Sequence, residues 1–456
     1  MANACDPKFG FPAYTTESPG EQKMKTNGSG RMPDREVRMT QHVLTILMTM
    51  ALFLPLAGCQ KKDGPPQPEQ QALTGEPLPA LLLTHAWFWN DADGKPRPGW
   101  ARLDIWRNGS DGWSRTRLED SDSNVFHKAI PYDGGILTIG AERALIKLWR
   151  SESGRWTSDT LWERSWGGQF DRMRDVEIGD VDHDGEDEIV VATHDSGVVA
   201  VIDPARDGGQ PKITEMDQKA DTFVHEIEIG DVDGDGKLEF FATPSDRNRA
   251  DHSQAGGVVM YRWNGDGYER TWVDDQKGTH AKEILAYDVD GDGKSELFSV
   301  LEAEVDQNAT NKPKKPVEIR QYTLQADGSF THHAIGTVPD RQTRFLVPAD
   351  FDGDGRAELI APAMRTGIYY FRPPPAGSAP GTEWTSSLIA RDSSGFEHAA
   401  HAADLDGDGK PELYVAADDQ GKLVRYDYDG KDGFRATTIG DLEPGVFTWN
   451  ITTGTF

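Results

Sequence analysis

The sequence predicts an all-β protein, and three observations lead to that prediction. A nine-residue pattern, D-x-D-x-D-G-x-x-E, occurs five times along the chain. Short apolar runs of strand length, such as EIVVAT and ELYVAA, follow the copies. The 48 Gly and 27 Pro residues make up about one residue in six, which is typical of a chain with many tight turns.

The composition excludes one large class of partners. The chain has 48 Lys or Arg residues against 76 Asp or Glu residues, a formal net charge of −28. Affinity for nucleic acid comes mainly from Lys and Arg that neutralise phosphates, so we expect no nucleic-acid partner. The two cysteines, Cys5 and Cys59, are too few for a disulfide framework.

An apolar segment near the start of the chain is typical of an export signal. It runs from Val43 to Leu56 without a charge, and it is shorter than the roughly 20 residues that cross a bilayer. It continues into Leu56-Ala57-Gly58-Cys59, which resembles the lipobox of bacterial lipoproteins. The resemblance implies cleavage before Cys59 and lipidation of its sulfur. The alternative is an uncleaved anchor that a cysteine follows by chance.

These features predict the organisation of the chain and its location. We expect a leader over 1–58, with the true start at Met32 or Met39, and a flexible Pro-rich tether over 59–75. The folded domain is then expected over 76–456. The lipobox resemblance implies a lipid anchor in a bacterial cell envelope. Gln60 after the cysteine favours the outer membrane if the host is Gram-negative.

The repeated pattern has the spacing of a cation site built from oxygen ligands. Carboxylates at positions 1, 3 and 5 converge on one side of a tight loop, position 7 offers a carbonyl and position 9 closes with Glu. Such a set suits a hard cation, with Ca²⁺ ahead of Mg²⁺. The candidate ligands are Asp180, Asp182, Asp184, Glu186, Glu188, Asp231, Asp233, Asp235, Lys237, Glu239, Asp288, Asp290, Asp292, Lys294, Glu296, Asp350, Asp352, Asp354, Arg356, Glu358, Asp404, Asp406, Asp408, Lys410 and Glu412.

An EF-hand is excluded because its loop needs a bidentate Glu at position 12. That position holds Val191, Ala242, Ser299, Ala361 and Val415. The apolar runs before and after each loop are strands rather than helices. The unit is therefore strand, calcium loop, strand, and we expect about five structural Ca²⁺ ions. A regulatory calcium switch is the alternative.

A further hairpin follows each unit, which makes four strands per repeat. The copies begin 51, 57, 62 and 54 residues apart, close to the roughly 40 to 50 residues of a propeller blade. The units resemble FG-GAP or VCBS repeats, the blades of the integrin alpha-subunit propeller, over about 165–437. Outer hairpins from Ala101 and Ala144 indicate two more blades. The resemblance implies a seven-bladed β-propeller whose C-terminal strand, from Gly445, supplies the missing innermost strand and closes the ring.

A column of basic residues lies six positions before the first Asp of each loop. It consists of Arg174, His225, Lys282, Arg344 and His398, and the degenerate second blade adds His127. Glu226 and Glu283 directly follow two of them. In the geometry of the resembled family, these positions surround the end of the central channel opposite the calcium loops. We call that end the channel mouth.

Three interpretations of this basic column are open. It forms ion pairs that order neighbouring blades, or it receives an anionic group such as the carboxylate of a uronic acid or a phosphate. In the third, His127, His225 and His398 bind a transition metal with Glu226.

Two functions follow. The first is a lipid-anchored, calcium-stabilised module that binds a protein or glycan. This function requires no catalytic group. The alternative is a carbohydrate-active enzyme of lyase or dehydratase type acting on acidic or keto sugars, as the family resemblance implies. No nucleophile motif, phosphate-binding loop or HExxH zinc motif occurs, so we favour binding.

Overall fold

The computed structural model describes residues 64–168, 171–204, 209–247, 253–306, 313–379, 381–430 and 433–456. The leader, its start codons and Cys59 lie outside the described residues. Among the residues described, no helix combines the length and apolar character needed to cross a membrane.

The described chain consists almost entirely of strands. The first stretch supplies β1 (Pro79–Ala86), β2 (Phe88–Asn90), β3 (Pro96–Pro98), β4 (Ala101–Gly109) and β5 (Gly112–Asp120). The second supplies β6 (Phe126–Tyr132), β7 (Gly135–Gly140), β8 (Ala144–Glu152) and β9 (Arg155–Arg164). The third supplies β10 (Met173–Gly179), β11 (Glu188–Thr193), β12 (Val199–Asp203) and β13 (Lys212–Met216). The fourth supplies β14 (Thr222–Gly230), β15 (Glu239–Asp246), β16 (Gly256–Trp263) and β17 (Tyr268–Gln276).

The remaining strands repeat the same order. The fifth group is β18 (Ala281–Tyr287), β19 (Glu296–Leu301), β20 (Val317–Leu324) and β21 (Phe330–Val338). The sixth is β22 (Val347–Ala349), β23 (Glu358–Ala363), β24 (Gly367–Arg372) and β25 (Thr385–Ala390). The seventh is β26 (Ala400–Ala403), β27 (Glu412–Ala417), a 3₁₀ turn (Asp418–Gln420), β28 (Lys422–Tyr428) and β29 (Phe434–Asp441). The last strand is β30 (Phe447–Thr455).

These strands form seven antiparallel four-stranded sheets, the blades of a propeller. Blades 2 to 7 take their four strands consecutively, from β6–β9 through β26–β29. Blade 1 has the order β30-β1-β4-β5, so the last strand of the chain is its first, innermost strand. The all-β, seven-bladed prediction is confirmed, and so is ring closure by the C-terminal strand. The short hairpin β2–β3 is an addition to blade 1.

Ring closure joins the two ends of the described chain. β30 pairs antiparallel with β1 from Pro79↔Thr455 to Ala86↔Phe447. Backbone hydrogen bonds of 2.8 and 3.0 Å between Leu78 and Phe456 extend that pairing. Closure in this way pairs the inner edge of β1, which would otherwise be exposed, and completes the four-stranded sheet of blade 1.

The core lies between adjacent blades. Leu137 and Ile139 of blade 2 share one buried cluster with Val176 and Val191 of blade 3, for example. Burial of each such side chain stabilises the fold by roughly 1.5–3 kcal/mol. Trp106 of blade 1 lies against Gly440 of blade 7, where an added Cβ would come within 2.4 Å of the ring. This outer-strand Trp is therefore a packing residue between blades.

Residues before 76 also contact blade 1. The backbone N–H of Gln71 donates to the carbonyl of Arg117 at 2.8 Å, and Leu73 packs on the core of blades 1 and 2. The Trp100 indole N–H donates to the Pro66 carbonyl at 2.7 Å. These contacts extend the folded unit ahead of the boundary predicted at residue 76, into the segment expected to be a tether.

Candidate functional site

The five acidic loops connect the first and second strands of blades 3 to 7. In blade 4, the carboxylate of Asp231 accepts N–H bonds from Gly234 at 2.7 Å and from Gly236 at 2.8 Å. Both glycines have positive φ, of 75° and 80°, which a residue with a Cβ adopts at a cost. The first Asp therefore organises its own loop, and the two glycines make the tight turn possible.

The loop carboxylates converge as the spacing predicted. In each loop, positions 1, 3 and 9 bring carboxylate oxygens within 4.8 Å of one another. The groups are Asp180 with Asp182 and Glu188, Asp231 with Asp233 and Glu239, Asp288 with Asp290 and Glu296, Asp350 with Asp352 and Glu358, and Asp404 with Asp406, Asp408 and Glu412. Position 5 joins the group only in blade 7. In blade 4 it turns to its own loop, where Asp235 accepts the N–H of Lys237 at 2.9 Å.

The electrostatics of these loops fit a bound cation. Burial, together with neighbouring carboxylates, raises the pKa of Glu188, Glu296 and Glu358 to about 7. In blade 3, Asp180 Oδ1 and Glu188 Oε1 are buried and have no hydrogen-bond partner among the described residues. A hard cation would satisfy both atoms and favour the ionised carboxylates. The loops can therefore hold Ca²⁺, although the identity of the ion stays a prediction.

Three of the loops carry an arginine that the sequence pattern did not indicate. Arg262 of β16 contacts Asp233 at 2.7 Å and Glu239 at 2.9 Å. Arg425 of β28 contacts Asp406 at 2.6 Å, and Arg372 of β24 approaches Asp352 at 3.5 Å. In blades 3 and 5, no described basic side chain lies within 4.0 Å of the three converging carboxylates.

At the other end of the channel, β-bulges place the basic column. The register of β6, β10, β14 and β18 shifts at His127, Arg174, His225 and Lys282, respectively. A bulged residue leaves the hydrogen-bonded ladder, and its side chain is redirected. The pairing of β1 with β30 skips Trp449 in the same way. Trp449 therefore occupies the blade 1 position of the column. Because it is not basic, the pattern of basic residues did not indicate it.

Five of these side chains lie near one another and are called the mouth site: His127, Arg174, His225, Lys282 and Trp449. Arg174 interacts electrostatically with His127, His225 and Lys282. The guanidinium carbon of Arg174 lies 5.1 Å from the centroid of the Trp449 ring, and the His127 ring meets Trp449 edge-on at 4.9 Å. The Lys282 ammonium donates to His225 Nε2 at 3.1 Å. Four of the six predicted basic residues are thus brought together.

His194 and His280 also belong to this region, and the sequence analysis did not select them. His225 Nδ1 lies 3.3 Å from His194 Nε2, and the His225 and His280 rings are 5.5 Å apart. Both come from outside the column, His194 from the end of a second strand and His280 from the approach to β18. No repeated spacing marked either position.

The mouth site is electrostatically positive. Burial lowers the pKa of Lys282 to about 7, and Arg344 and Arg174 add to that effect against the opposing charge of Glu302. Burial and the same cationic surroundings lower the pKa of His127 and His225 well below the usual value. Within the described part of the chain, no carboxylate lies within 4.0 Å of the half-buried Arg174 guanidinium. Arg174 is therefore a cation without an ion-pair partner there.

Two members of the column form ion pairs. Arg344 contacts Glu397 of the next blade, and Lys282 lies 3.8 Å from Glu302 of its own blade. Glu283 accepts the N–H of Leu346 in the next blade at 3.3 Å. Burial and the nearby Asp175 and Glu283 raise the pKa of Glu226. Ion pairing thus accounts for Arg344, while Glu226 and Glu283 lie in a carboxylate-rich part of the channel.

His398 does not join the mouth site. Its Nδ1 donates to the Ala363 carbonyl at 2.7 Å, and its Nε2 bonds Ser393 Oγ at 2.8 Å. The innermost strand of blade 7 begins only at Ala400, so His398 precedes the strand with a positive φ of 56°. The predicted transition-metal set of His127, His225, His398 and Glu226 is accordingly not assembled. The groups of described residues that can hold a metal are the five acidic loops.

Comparison with known proteins agrees with the repeat architecture. The FG-GAP-like repeat family matches residues 180–242, 231–299 and 288–361. The chain is 26% identical over 273 residues to rhamnogalacturonan endolyase YesW of Bacillus subtilis (strain 168), which covers 49% of this chain and 42% of that enzyme. The chain thus matches less than half the length of this relative.

Two solved structures show the fold alone. A cobalt-substituted ACO from Synechocystis has a TM-score of 0.50 at 11% identity, over 86% of this chain and 97% of that one. A putative 6-phosphogluconolactonase from Bacteroides uniformis also has a TM-score of 0.50 at 11% identity, over 82% of this chain and 99% of that one. The chain is a seven-bladed β-propeller that carries FG-GAP-like repeats, with acidic loops compatible with calcium in five of its blades.

Proposed function

We propose that this protein binds an acidic carbohydrate at the channel mouth and that Ca²⁺ in the five loops stabilises the propeller around that site. The observation that carries the proposal is Arg174, a half-buried guanidinium without a carboxylate partner in the described chain, stacked on Trp449. A buried cation that is left unpaired costs free energy, and a bound carboxylate recovers it through charge-assisted hydrogen bonds.

The surroundings of Arg174 suit a sugar acid better than a small inorganic anion. Trp449 offers an aromatic ring beside the guanidinium, and an aromatic ring packs against the C–H groups of a pyranose. The neighbouring His127 and His225 have pKa values well below the usual range, so both are neutral hydrogen-bonding groups at neutral pH. The site thus combines one fixed charge, one apolar surface and neutral polar groups.

A lyase is the second candidate, and Lys282 is the observation that favours it. With a pKa of about 7, part of Lys282 is a neutral amine at neutral pH, the form that accepts a proton. A cation near the carboxylate of a uronic acid would stabilise the charge that develops when the adjacent C–H proton leaves. The similarity to a rhamnogalacturonan endolyase supports this candidate over half the chain. No described carboxylate lies within 4.0 Å of His127, His225 or His398 to orient one of them as a base, so binding is preferred.

The proposal is tested with tetragalacturonate and isothermal titration calorimetry. The wild-type protein is expected to bind, and Arg174→Gln is expected to weaken the affinity at least tenfold. Arg155→Gln, on the exposed outer strand β9, is the matched control. Equal affinities of wild type and Arg174→Gln would refute the proposal. Release of an ultraviolet-absorbing unsaturated product by wild type, and its loss in Lys282→Met, would favour the lyase instead.

We also propose that the protein is anchored to the bacterial cell envelope through a lipid on Cys59. The lipobox-like sequence Leu56-Ala57-Gly58-Cys59 supports this location. Wild type is expected in the membrane fraction of the producing bacterium, and Cys59→Ser in the soluble fraction. Equal membrane association of both proteins would contradict a lipid anchor at this cysteine.

A further inference from the structure

We infer that blade 1 carries a second carbohydrate subsite, a pocket for a neutral pyranose. The pocket has a volume of about 540 Å³ and is formed by the added hairpin β2–β3 together with parts of blade 2. We call it the blade 1 pocket; its lining includes Trp89, Trp100, Asp93, Asn124 and Glu142. The inference rests on the proposed carbohydrate function and extends it to a second sugar unit.

Trp89 and Trp100 present ring surface to the pocket, and their indole N–H groups are already hydrogen-bonded. The Trp89 indole N–H donates to the Pro98 carbonyl at 3.1 Å, and that of Trp100 donates to the Pro66 carbonyl at 2.7 Å. Both rings are half-buried, so part of each surface reaches the pocket. Because the polar atoms are already bonded, the rings contribute apolar contact, which is what the C–H face of a pyranose requires.

The pocket is held in place before any ligand arrives. The Trp87 indole N–H donates to the Trp100 carbonyl at 2.8 Å. Trp87 also lies against Gly99, where an added Cβ would come within 2.0 Å of its ring. A platform that is ordered in advance loses little conformational entropy on binding. The walls of the blade 1 pocket are therefore ordered without a ligand.

The polar groups of the pocket favour a neutral sugar. Asn124 Nδ2 donates to Glu142 Oε1 at 3.1 Å, an arrangement that leaves acceptor atoms for sugar hydroxyls. Asp91 is paired with Arg97 at 2.9 Å, while Asp93 and Glu142 have no described basic partner within 4.0 Å. The net charge of the lining is therefore negative. A carboxylate ligand would be repelled, in contrast to the situation at Arg174.

A row of aromatic rings leads from this hairpin to the mouth site. Phe88 of β2 lies 6.1 Å from Phe447, Phe447 lies 6.0 Å from Phe396, and Phe396 lies 6.4 Å from Trp449. Trp89, next to Phe88, lines the blade 1 pocket, and Trp449 stacks on Arg174. We therefore expect the two sites to bind different sugar units, an acidic unit at Arg174 and a neutral unit at Trp89. The ligand class inferred is a glycan that contains both kinds of sugar.

Two probes separate this inference from the proposed function. Galactotetraose is neutral, and tetragalacturonate has the same ring stereochemistry with a carboxylate at C6. In calorimetry, wild type is expected to bind galactotetraose, and Trp89→Ala to weaken that binding at least tenfold. Trp89→Phe, which keeps an aromatic ring, is expected to retain most of the affinity. Arg155→Gln, on the exposed outer strand β9, is expected to leave galactotetraose binding unchanged.

The control is Trp272→Ala, which removes an indole that is 47% exposed on an outer strand of blade 4. Its affinity for galactotetraose should equal that of wild type, and all variants should melt within a few degrees of wild type. The inference is overturned if wild type fails to bind galactotetraose or if Trp89→Ala binds it as wild type does. Failure of the proposed function is recognised by a different result: Arg174→Gln would bind tetragalacturonate with the affinity of wild type.

Discussion

The guanidinium of Arg174 stacks on the indole of Trp449, with 5.1 Å between the guanidinium carbon and the ring centroid. Arg174 belongs to the innermost strand of blade 3, and Trp449 to the last strand of the chain, which completes blade 1. The strand that closes the ring therefore also supplies the aromatic surface of the candidate site. Closure of the propeller and assembly of the channel mouth therefore depend on the same strand, Phe447–Thr455.

Deletion of residues 445–456 should consequently destroy both properties. Without β30, the inner edge of β1 is unpaired, and Leu81 and Leu83, which are fully buried, become exposed. We expect a lower melting temperature, aggregation and loss of tetragalacturonate binding. Addition of a synthetic peptide of residues 445–456 should restore part of each. An unchanged melting temperature of the truncated protein would show that ring closure contributes little.

Calcium binding should divide the five loops into two classes. In blades 4, 6 and 7 an arginine neutralises part of the carboxylate charge, whereas blades 3 and 5 lack one near the converging carboxylates. Calorimetric titration of calcium-free protein should therefore show two tighter sites and three weaker ones. Arg262→Gln should move one weak site into the tight class. Arg320→Gln, which pairs with Asp274 and not with a loop, is the control. A single class of five equal sites contradicts this reasoning.

The charges of Arg344 and Glu397 should stabilise the fold as a pair, so that removal of one charge leaves the other buried and unpaired. The side chains of Arg344 and Glu397 are 13% and 2% exposed, so either one left alone is a nearly buried, unpaired charge. Arg344→Gln or Glu397→Gln should each reduce the free energy of unfolding by about 3–5 kcal/mol. The double variant should lose less free energy of unfolding than the sum of the losses in the two single variants. Strict additivity in urea unfolding would mean that the two charges do not interact.

The stability of the calcium-loaded protein should fall as the pH drops from 6.5 to 4. Burial lowers the pKa of His280 and His398 to about 4, from an ordinary value of 6.5. Between these values the unfolded chain binds more protons, so acidification favours unfolding, and below pH 4 these groups add no further effect. Lys282, with a folded pKa of about 7 against 10.5, likewise makes stability rise from pH 7 to 10.5.

Urea unfolding across pH 4 to 8 measures this effect. His398→Gln should flatten the acid limb, because it removes one group that the fold keeps neutral. His332→Gln, at an exposed position on β21, should leave the pH dependence as it is. Equal slopes for His398→Gln and wild type would show that His398 does not carry the acid sensitivity.

Local sequence patterns predicted the features that repeat. The spacing within each loop fixed the convergence of residues such as Asp231, Asp233 and Glu239, and an orphan strand at the end of the chain indicated ring closure. Local patterns could not predict features that depend on contacts between segments distant in the sequence. Arg262 reaches its loop from another strand, and Trp449 enters the basic column through a strand from the opposite end of the chain.

One prediction was wrong because a repeat departs from its pattern. The spacing of six residues placed His398 in the column, but β26 begins only at Ala400, and the His398 side chain bonds Ser393 and Ala363 instead. The blade 1 pocket left no repeat signal at all, because the β2–β3 hairpin occurs in a single blade. Sites on such additions become visible only in the folded structure.

The most direct test of the account is a thermal unfolding scan of residues 64–456 in calcium, in chelator, and in chelator followed by zinc. If the acidic loops are cation sites, calcium binds the folded state and raises the melting temperature by several degrees. Zinc, which prefers nitrogen and sulfur ligands, should not reproduce that rise. The same melting temperature with calcium and with chelator would contradict the central claim that five calcium loops stabilise this propeller.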